Sequence, residues 1–176
     1  ELWSLEPDMI TMAKGITSGY VPLGATLVSD PIAETLSEAG YLAHGFTYSG
    51  HPVSAAAALA NISILEREQL IEKVHDATGL HFQNRLQALA SHPAAGEVRG
   101  AGLIGAIDLV PSGGRAALAT PPVLGAKAAA MARKEGVIVR GIRDLIAISP
   151  PLVITRDETD FLFDAVARVL DRIAEL

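Results

Sequence analysis

Short apolar runs of strand length alternate along the chain with segments of helical spacing. The predicted strands are residues 8–13, 21–29, 103–110, 137–140 and 145–149. The predicted helices are residues 30–40, a stretch opening at Pro52, and residues 69–92, 123–135 and 157–176. Alternation of this kind is typical of an α/β fold, in which helices cover a sheet.

The character of the sequence changes near residues 65–70. The preceding part is rich in alanine and glycine, whereas short strands and helices alternate in the part that follows. Hydrophobic residues make up 49% of the chain and charged residues 19%, so it can build a core. We therefore predict two parts, residues 1–66 and residues 67–176.

Charge and composition argue against several classes of function. The formal net charge of -6 disfavours nucleic acid as a partner, because phosphate binding calls for basic surfaces. No apolar run approaches the roughly 18 residues of a membrane span. The absence of cysteine excludes disulfides, thiolate metal sites and cysteine nucleophiles, and fits a cytoplasmic protein.

The first residues of the chain bear on whether it is a whole protein. It begins at Glu1 without an initiator methionine, and its opening "ELWSLEPD" is acidic and contains a proline, unlike a signal peptide. A strand-like run follows within about eight residues. We expect the chain to be part of a longer protein.

Lys14 follows the first predicted strand, in "TMAKGITSGYVPLGA". An amine among apolar residues at a strand end would be desolvated, which favours its uncharged form and lets it react with a carbonyl group. Local context leaves a second interpretation open, in which the lysine extends into water as most lysines do.

The segment "GFTYSGHP" precedes the helix that opens at Pro52. Exposed amides at a helix start, together with a hydroxyl group from Thr47, Tyr48 or Ser49, make a site suited to a phosphate group. The alternative is that Ser49 or His51 caps the helix. His44 and His51 are seven residues apart without a neighbouring acidic ligand pattern, so we predict no metal site.

Two arginines lie between the last two predicted strands, in "VIVRGIRDLIAISPPL". Arg140 ends one strand and Arg143 follows in the turn, where either could bind a carboxylate through two hydrogen bonds. The alternative is that one of them pairs with Asp144 or with a helix end.

The chain resembles the C-terminal part of class III pyridoxal-phosphate aminotransferases, because these motifs follow one another in the order found in that family. The matching segments are "PDMITMAKGITSGYVPLGATLVSDPI", "HGFTYSGHPVSAAAALANISILE", "GEVRGAGLIGAIDLV" and "GVIVRGIRDLIAISPPLVITRDETD", which cover nearly the whole chain. The "SGY" ending at Tyr20 is more typical of the ω-amino acid (amine–pyruvate) branch. The resemblance implies the fold-type I transferase fold, with residues 1–66 in the large cofactor-binding domain and 67–176 forming the small C-terminal domain.

The resemblance also implies roles for single residues. Lys14 matches the lysine that binds pyridoxal 5'-phosphate covalently and then moves the substrate proton. Thr47 matches the threonine that hydrogen-bonds the cofactor phosphate from the neighbouring subunit of a homodimer, and Phe46 lies in the same wall. Arg140 matches the mobile arginine that binds the carboxylate of the keto acid or amino acid, with Arg143 as the alternative. We add Tyr20 to the predicted substrate-binding residues.

The implied activity is transfer of an amino group from an amine or ω-amino acid to pyruvate or another keto acid. In the family, the aspartate that pairs with the pyridine nitrogen, the Gly-Ser phosphate turn and the aromatic residue stacked on the ring precede the point where this chain starts. We therefore expect the chain to be inactive alone. Two alternatives are another class III enzyme, such as a decarboxylase or racemase, and a non-catalytic dimer-partner module.

Overall fold

Two compact units make up the chain. The fold comes from a computed structural model that describes residues 3–45, 47–114 and 123–176. Unit 1 is Glu1–Glu68 and unit 2 is Gln69–Leu176. The assignment of residues 1–66 and 67–176 to a large and a small domain stays a prediction.

Unit 1 contains an antiparallel pair of strands and two helices. Its elements are β1 (Met9–Ala13), a 3-10 turn (Lys14–Thr17), β2 (Gly24–Val28), α1 (Asp30–Glu38) and α2 (Pro52–Arg67). Met9 lies opposite Val28, and Ala13 lies opposite Gly24. The connection between the strands therefore leaves and returns at the same end of the strand pair. The 3-10 turn is the first part of that connection.

Both helices of unit 1 carry a proline in the first turn, where the missing amide hydrogen has no intrahelical partner to lose. The N-cap of α1 is Ser29, the residue before the predicted helix start at position 30. The N-cap of α2 is His51, whose side chain makes no capping hydrogen bond.

Unit 2 contains an antiparallel sheet of four strands, in the order β3-β4-β6-β5. The strands are β3 (Ala95–Ala101), β4 (Ile104–Leu109), β5 (Arg140–Ile142) and β6 (Leu145–Ile148). Two-residue turns join β3 to β4 and β5 to β6, because Ala101 pairs with Ile104 and Ile142 pairs with Leu145. The first turn residue has a positive φ in both cases, +55° at Gly102 and +53° at Arg143.

The helices of unit 2 pack on this sheet and on each other. They are α3 (Leu70–Lys73), a π-helical turn (Val74–Thr78), α4 (Gly79–Ala88), a 3-10 turn (Leu89–Ser91), α5 (Leu124–Lys134) and α6 (Arg156–Ala174). Helices α4 and α5 contact the strands, and α6 packs against α4 and α5. Phe82 of α4 and Phe163 of α6 meet edge to face, with ring centroids 4.9 Å apart, in the centre of the core.

Helix α6 begins with a reciprocal cap. Thr155 Oγ1 accepts a hydrogen bond from the Glu158 amide, and a Glu158 carboxylate oxygen accepts one from the Thr155 amide. In the part of the chain that the structure describes, no helix is both long enough and apolar enough to cross a membrane.

Two strands differ from the sequence-based expectation. Strand β3 is absent from the predicted strands because its glycines and charged residues lack strand propensity. Its pairing with β4 determines its structure instead. Strand β5 starts at Arg140 rather than ending there. Val137 and Val139 are buried, but the ladder with β6 begins only where Arg140 pairs with Ala147.

Candidate functional site

Lys14 lies at the junction between β1 and the 3-10 turn. Its φ is +51°, in the left-handed region that residues with a side chain rarely adopt. The Lys14 carbonyl accepts a hydrogen bond from the Gly19 amide at 3.1 Å, and the Gly15 carbonyl accepts one from the Ser18 amide at 3.2 Å. The chain therefore reverses immediately after the lysine, which sets the direction in which its side chain leaves the backbone.

Side chains of α2 fasten this turn and the connection that follows it. The carboxamide of Asn61 donates hydrogen bonds to the carbonyl oxygens of Gly15 and Ile16, at 2.9 and 3.2 Å. Ser54 donates through its hydroxyl group to the Pro22 carbonyl at 3.1 Å. Ser54 and Asn61 are seven residues apart and so lie on the same face of the helix. The 3-10 turn that begins at Lys14, called the lysine turn below, is therefore held against one face of α2.

The Lys14 side chain is exposed in this structure. The expectation of a dry pocket around its amine is therefore not met by the described residues of this chain. Its chemistry still fits an aldehyde cofactor, since an accessible primary amine on a firmly held turn can attack a carbonyl carbon. Tyr20, three residues after the end of the 3-10 turn, is 87% exposed.

Thr47 and the start of α2 form the second predicted part of the site. Thr47 is exposed in a turn that leads to the N-cap residue His51. Because the His51 side chain does not cap the helix, the first amides of α2 keep their capacity to donate to an anion. A threonine hydroxyl and helix-start amides match the oxygen acceptors of a phosphate group. Phe46, the other predicted cofactor contact, lies outside the described residues.

Arg140 opens β5 in unit 2, and Arg143 occupies the turn that follows. Both side chains are exposed, and neither has an ion-pair partner among the residues the structure describes. Asp144, which the alternative interpretation paired with an arginine, instead accepts hydrogen bonds from the amides of Val123 and Leu124, at 3.0 and 2.9 Å. It caps α5, so these arginines are left available to an anionic ligand.

A concavity of about 590 Å³ lies beside Arg140 in unit 2. Alanines of α5 form much of its lining, and Arg133 and Ser149 also contribute to it. Two guanidinium groups with a hydroxyl group at one concavity suit a small carboxylate. The sequence had given no reason to include Arg133.

Lys14, Tyr20 and Thr47 thus belong to unit 1, and Arg140 belongs to unit 2. Sequence reasoning did not identify Asn61 as part of the lysine turn's support. The sequence feature that could have identified it is an asparagine inside an alanine-rich helix. Its low helix propensity there calls for a compensating contact.

The comparison with protein families shows which family the chain belongs to. The family model described as Aminotransferase class-III matches residues 1–170. The chain belongs to the class III aminotransferases. Members of this family use pyridoxal 5'-phosphate, the cofactor that the family resemblance implied.

Named class III aminotransferases are similar over almost the whole chain. A putrescine–pyruvate aminotransferase of Pseudomonas aeruginosa is 44% identical over 168 residues, which are 96% of this chain and 37% of that relative. A diaminobutyrate–2-oxoglutarate transaminase of Halomonas elongata is 36% identical over 181 residues, covering 98% of this chain and 38% of the relative. The chain thus spans about two fifths of the length of these aminotransferases.

Solved structures show the same fold. An (S)-enantioselective ω-transaminase from Thermomicrobium roseum superposes with a TM-score of 0.88 at 45% identity, covering 98% of this chain and 39% of that one. A thermostable ω-transaminase mutant from Pseudomonas jessenii gives a TM-score of 0.85 at 37% identity, covering 99% and 40%. This class III aminotransferase chain therefore has the α/β fold of the corresponding part of the pyridoxal-phosphate-dependent transferases.

Proposed function

We propose that this chain is part of an aminotransferase that moves an amino group from an amine or ω-amino acid to pyruvate or another keto acid. The observation that carries the proposal is the position of Lys14, whose amine is presented on a hydrogen-bonded turn within a chain that matches the family over residues 1–170. The putrescine–pyruvate aminotransferase relative supports an amine donor and pyruvate as the acceptor.

Lys14 would hold the cofactor covalently and act on the substrate proton. Its Nζ would bind the aldehyde carbon of pyridoxal phosphate, and once released it would carry a proton away from the substrate carbon that bears the amino group. When bound, the cofactor supplies the electron-withdrawing ring that stabilises the resulting negative charge. Because Lys14 is exposed in this structure, its enclosure would come from residues outside those described here or from a second subunit.

Thr47, Phe46 and the start of α2 would hold the phosphate end of the cofactor. The Thr47 hydroxyl and the α2 amides supply the donors, and the family resemblance favours contribution of Thr47 from the neighbouring subunit. This arrangement requires a homodimer. A cytoplasmic location fits the absence of cysteine from the chain.

Arg140 and Tyr20 would bind the substrates. The Arg140 guanidinium would pair with the carboxylate of the keto acid at the concavity of unit 2, and Arg133 would add a second positive charge there. An amine without a carboxylate would make no use of this pair. The two half-reactions therefore depend on Arg140 to different extents.

Covalent trapping tests the proposal directly. The full-length protein is incubated with pyridoxal phosphate, reduced with borohydride and digested, and the modified peptide is found by mass spectrometry. We expect a pyridoxyl group on Lys14 and none on exposed Lys127, and formation of alanine from pyruvate when an amine is added. Absence of the Lys14 adduct would refute the role, and release of carbon dioxide or racemised product in place of alanine would point to a different class III reaction.

A further inference from the structure

The backbone of Lys14 is held in a conformation that it would not keep on its own. A residue with a β-carbon at φ +51° persists only where its surroundings fix it. Ser18, at the other end of the turn, also lies in the left-handed region, with φ +49°. Two such residues four positions apart require a support from outside the turn.

Asn61 is that support. Its Nδ2 donates to the carbonyl oxygens of Gly15 and Ile16, at 2.9 and 3.2 Å, and its Oδ1 accepts from the Ser18 hydroxyl at 2.6 Å. The carbonyl oxygens can only accept, so they fix which end of the carboxamide faces them. One side chain thus contacts three of the four residues that follow Lys14.

The support is rigid because it comes from the interior of a helix. Asn61 lies within α2, on the face that also bears Ser54 and the buried Ala58. Asn61 lies away from both ends of α2, where the backbone amides and carbonyls are engaged within the helix, so the carboxamide reaches the turn from a fixed base. A displacement of this side chain would be passed to the turn and then to the lysine.

We infer that Asn61 is a positioning residue for Lys14: its carboxamide maintains the strained turn and so fixes the direction of the lysine amine toward the cofactor aldehyde. This inference rests on the proposed function of Lys14. It concerns orientation, since Asn61 contacts the turn and not the reacting atoms.

The chain offers a matched control, because its two asparagines are Asn61 and Asn84. The Asn84 side chain is exposed on α4 in unit 2 and makes no hydrogen bond to the described residues. Asn61→Asp keeps the size of the side chain but replaces the donor with a carboxylate that faces two carbonyl oxygens. Asn84→Asp makes the same chemical change where no turn depends on it. Ser18→Ala is a milder variant, which removes only the contact to Oδ1.

The full-length variants are compared in three measurements: the dissociation constant of pyridoxal phosphate from its absorbance, kcat and KM for an amine with pyruvate, and the thermal midpoint. We expect Asn61→Asp to weaken cofactor binding by about tenfold and to lower kcat by about tenfold, with KM for pyruvate within about twofold. Ser18→Ala should show smaller changes in the same direction, and Asn84→Asp none. A fall in thermal midpoint with unchanged cofactor binding and kcat would show a purely structural role and overturn the inference.

A fourth measurement is independent of the cofactor. In the protein freed of cofactor, acylation of Lys14 by acetic anhydride is followed by mass spectrometry, with exposed Lys73 as the internal reference. Asn61→Asp should change the ratio of the two rates by at least about threefold. An unchanged ratio refutes the positioning role, whereas a changed ratio without any Lys14 adduct in the wild type would refute the proposed function and leave the positioning role standing.

Discussion

The carboxylate of Asp144 accepts a hydrogen bond from the backbone amide of Leu124, 2.9 Å away, and so caps a helix that begins twenty residues earlier in the chain. The same oxygen also accepts from the amide of Val123. A carboxylate at a helix N-terminus is favoured by the helix dipole as well as by these bonds. Because Asp144 is committed to α5, its neighbour Arg143 is left without that partner.

Replacing Asp144 with alanine should destabilise unit 2. The change leaves the amides of Val123 and Leu124, at the start of α5, without their acceptor. We expect a loss of about 1–2 kcal/mol in the free energy of unfolding. Chemical denaturation followed by circular dichroism measures it. Asp144→Asn is the control, since an amide oxygen can still cap the helix and most of the stability should remain. Equal losses in the two variants would contradict the capping role.

Arg140→Ala should impair the use of keto acids more than the use of amines. Loss of a charged hydrogen-bonding partner predicts a rise of about 10- to 100-fold in KM for pyruvate, with the amine half-reaction changed by less than about threefold. Stopped-flow measurement of each half-reaction separates the two effects. Arg143→Ala is the matched control; if it shows the larger effect on pyruvate, the carboxylate contact belongs to the turn and not to the strand.

Gly141→Ala should disturb the strand that carries Arg140. A β-carbon at Gly141 would lie 2.1 Å from the carbonyl oxygen of Gly125 in α5, so helix and strand would have to separate. We expect a loss of about 3 kcal/mol in unfolding free energy, measured by chemical denaturation. Gly24→Ala is the control, because its nearest neighbour would be at 3.7 Å. A tolerated Gly141→Ala would mean that the close approach of α5 and β5 is not required.

Lys14→Ala should abolish transamination without unfolding the protein. The amine would act both as nucleophile and as proton carrier, so the rate should fall by at least about a thousandfold. The exposed side chain packs against no core, and the thermal midpoint should stay the same. Activity is measured as alanine formed from pyruvate, with Lys127→Ala as the control. Turnover at the wild-type rate would remove Lys14 from the site.

Glu135→Gln should lower stability at neutral pH and make little difference in acid. Hydrogen bonds from Arg168 and Arg172 lower the pKa of the Glu135 carboxyl from its ordinary value. A lowered pKa in the folded state means that the contribution is present above the ordinary glutamate pKa of about 4.3 and is lost as the pH falls through the folded-state value. Thermal midpoints from pH 7 down to pH 3 measure the difference, with exposed Glu72→Gln as the control. A difference that persists in acid would point to packing rather than charge.

The sequence located most elements of the fold because their signals are local. Proline and glycine mark the helix ends, and helical spacing runs through residues 157–176, which contain most of α6. Strand β3 was not predicted, because its residues have little strand propensity and form a strand only by pairing with β4. The start of β5 was misplaced for a related reason: Val137 and Val139 have the pattern of a strand, but no partner strand extends to them.

The candidate site also contains residues that local motifs indicate and contacts that they do not. Lys14, Thr47 and Arg140 stand in motifs that can be recognised along the chain, and their roles stay predictions. The contacts of Asn61 with Gly15 and of Asp144 with Leu124 join residues 46 and 20 positions apart, and no short motif contains both partners. Such contacts are visible only once the chain has folded.

Burial is distributed very unevenly between the two units. Among the described residues of unit 1, Ala58 is the one buried hydrophobic residue, whereas unit 2 has a continuous core. Met9, Ile10 and Leu27, on a ribbon of only two strands, are each about half exposed. A two-stranded ribbon of this kind exposes unpaired strand edges and apolar side chains to other molecules. Produced as separate polypeptides, residues 69–176 should remain in solution as a folded piece, and residues 1–68 should precipitate or be degraded.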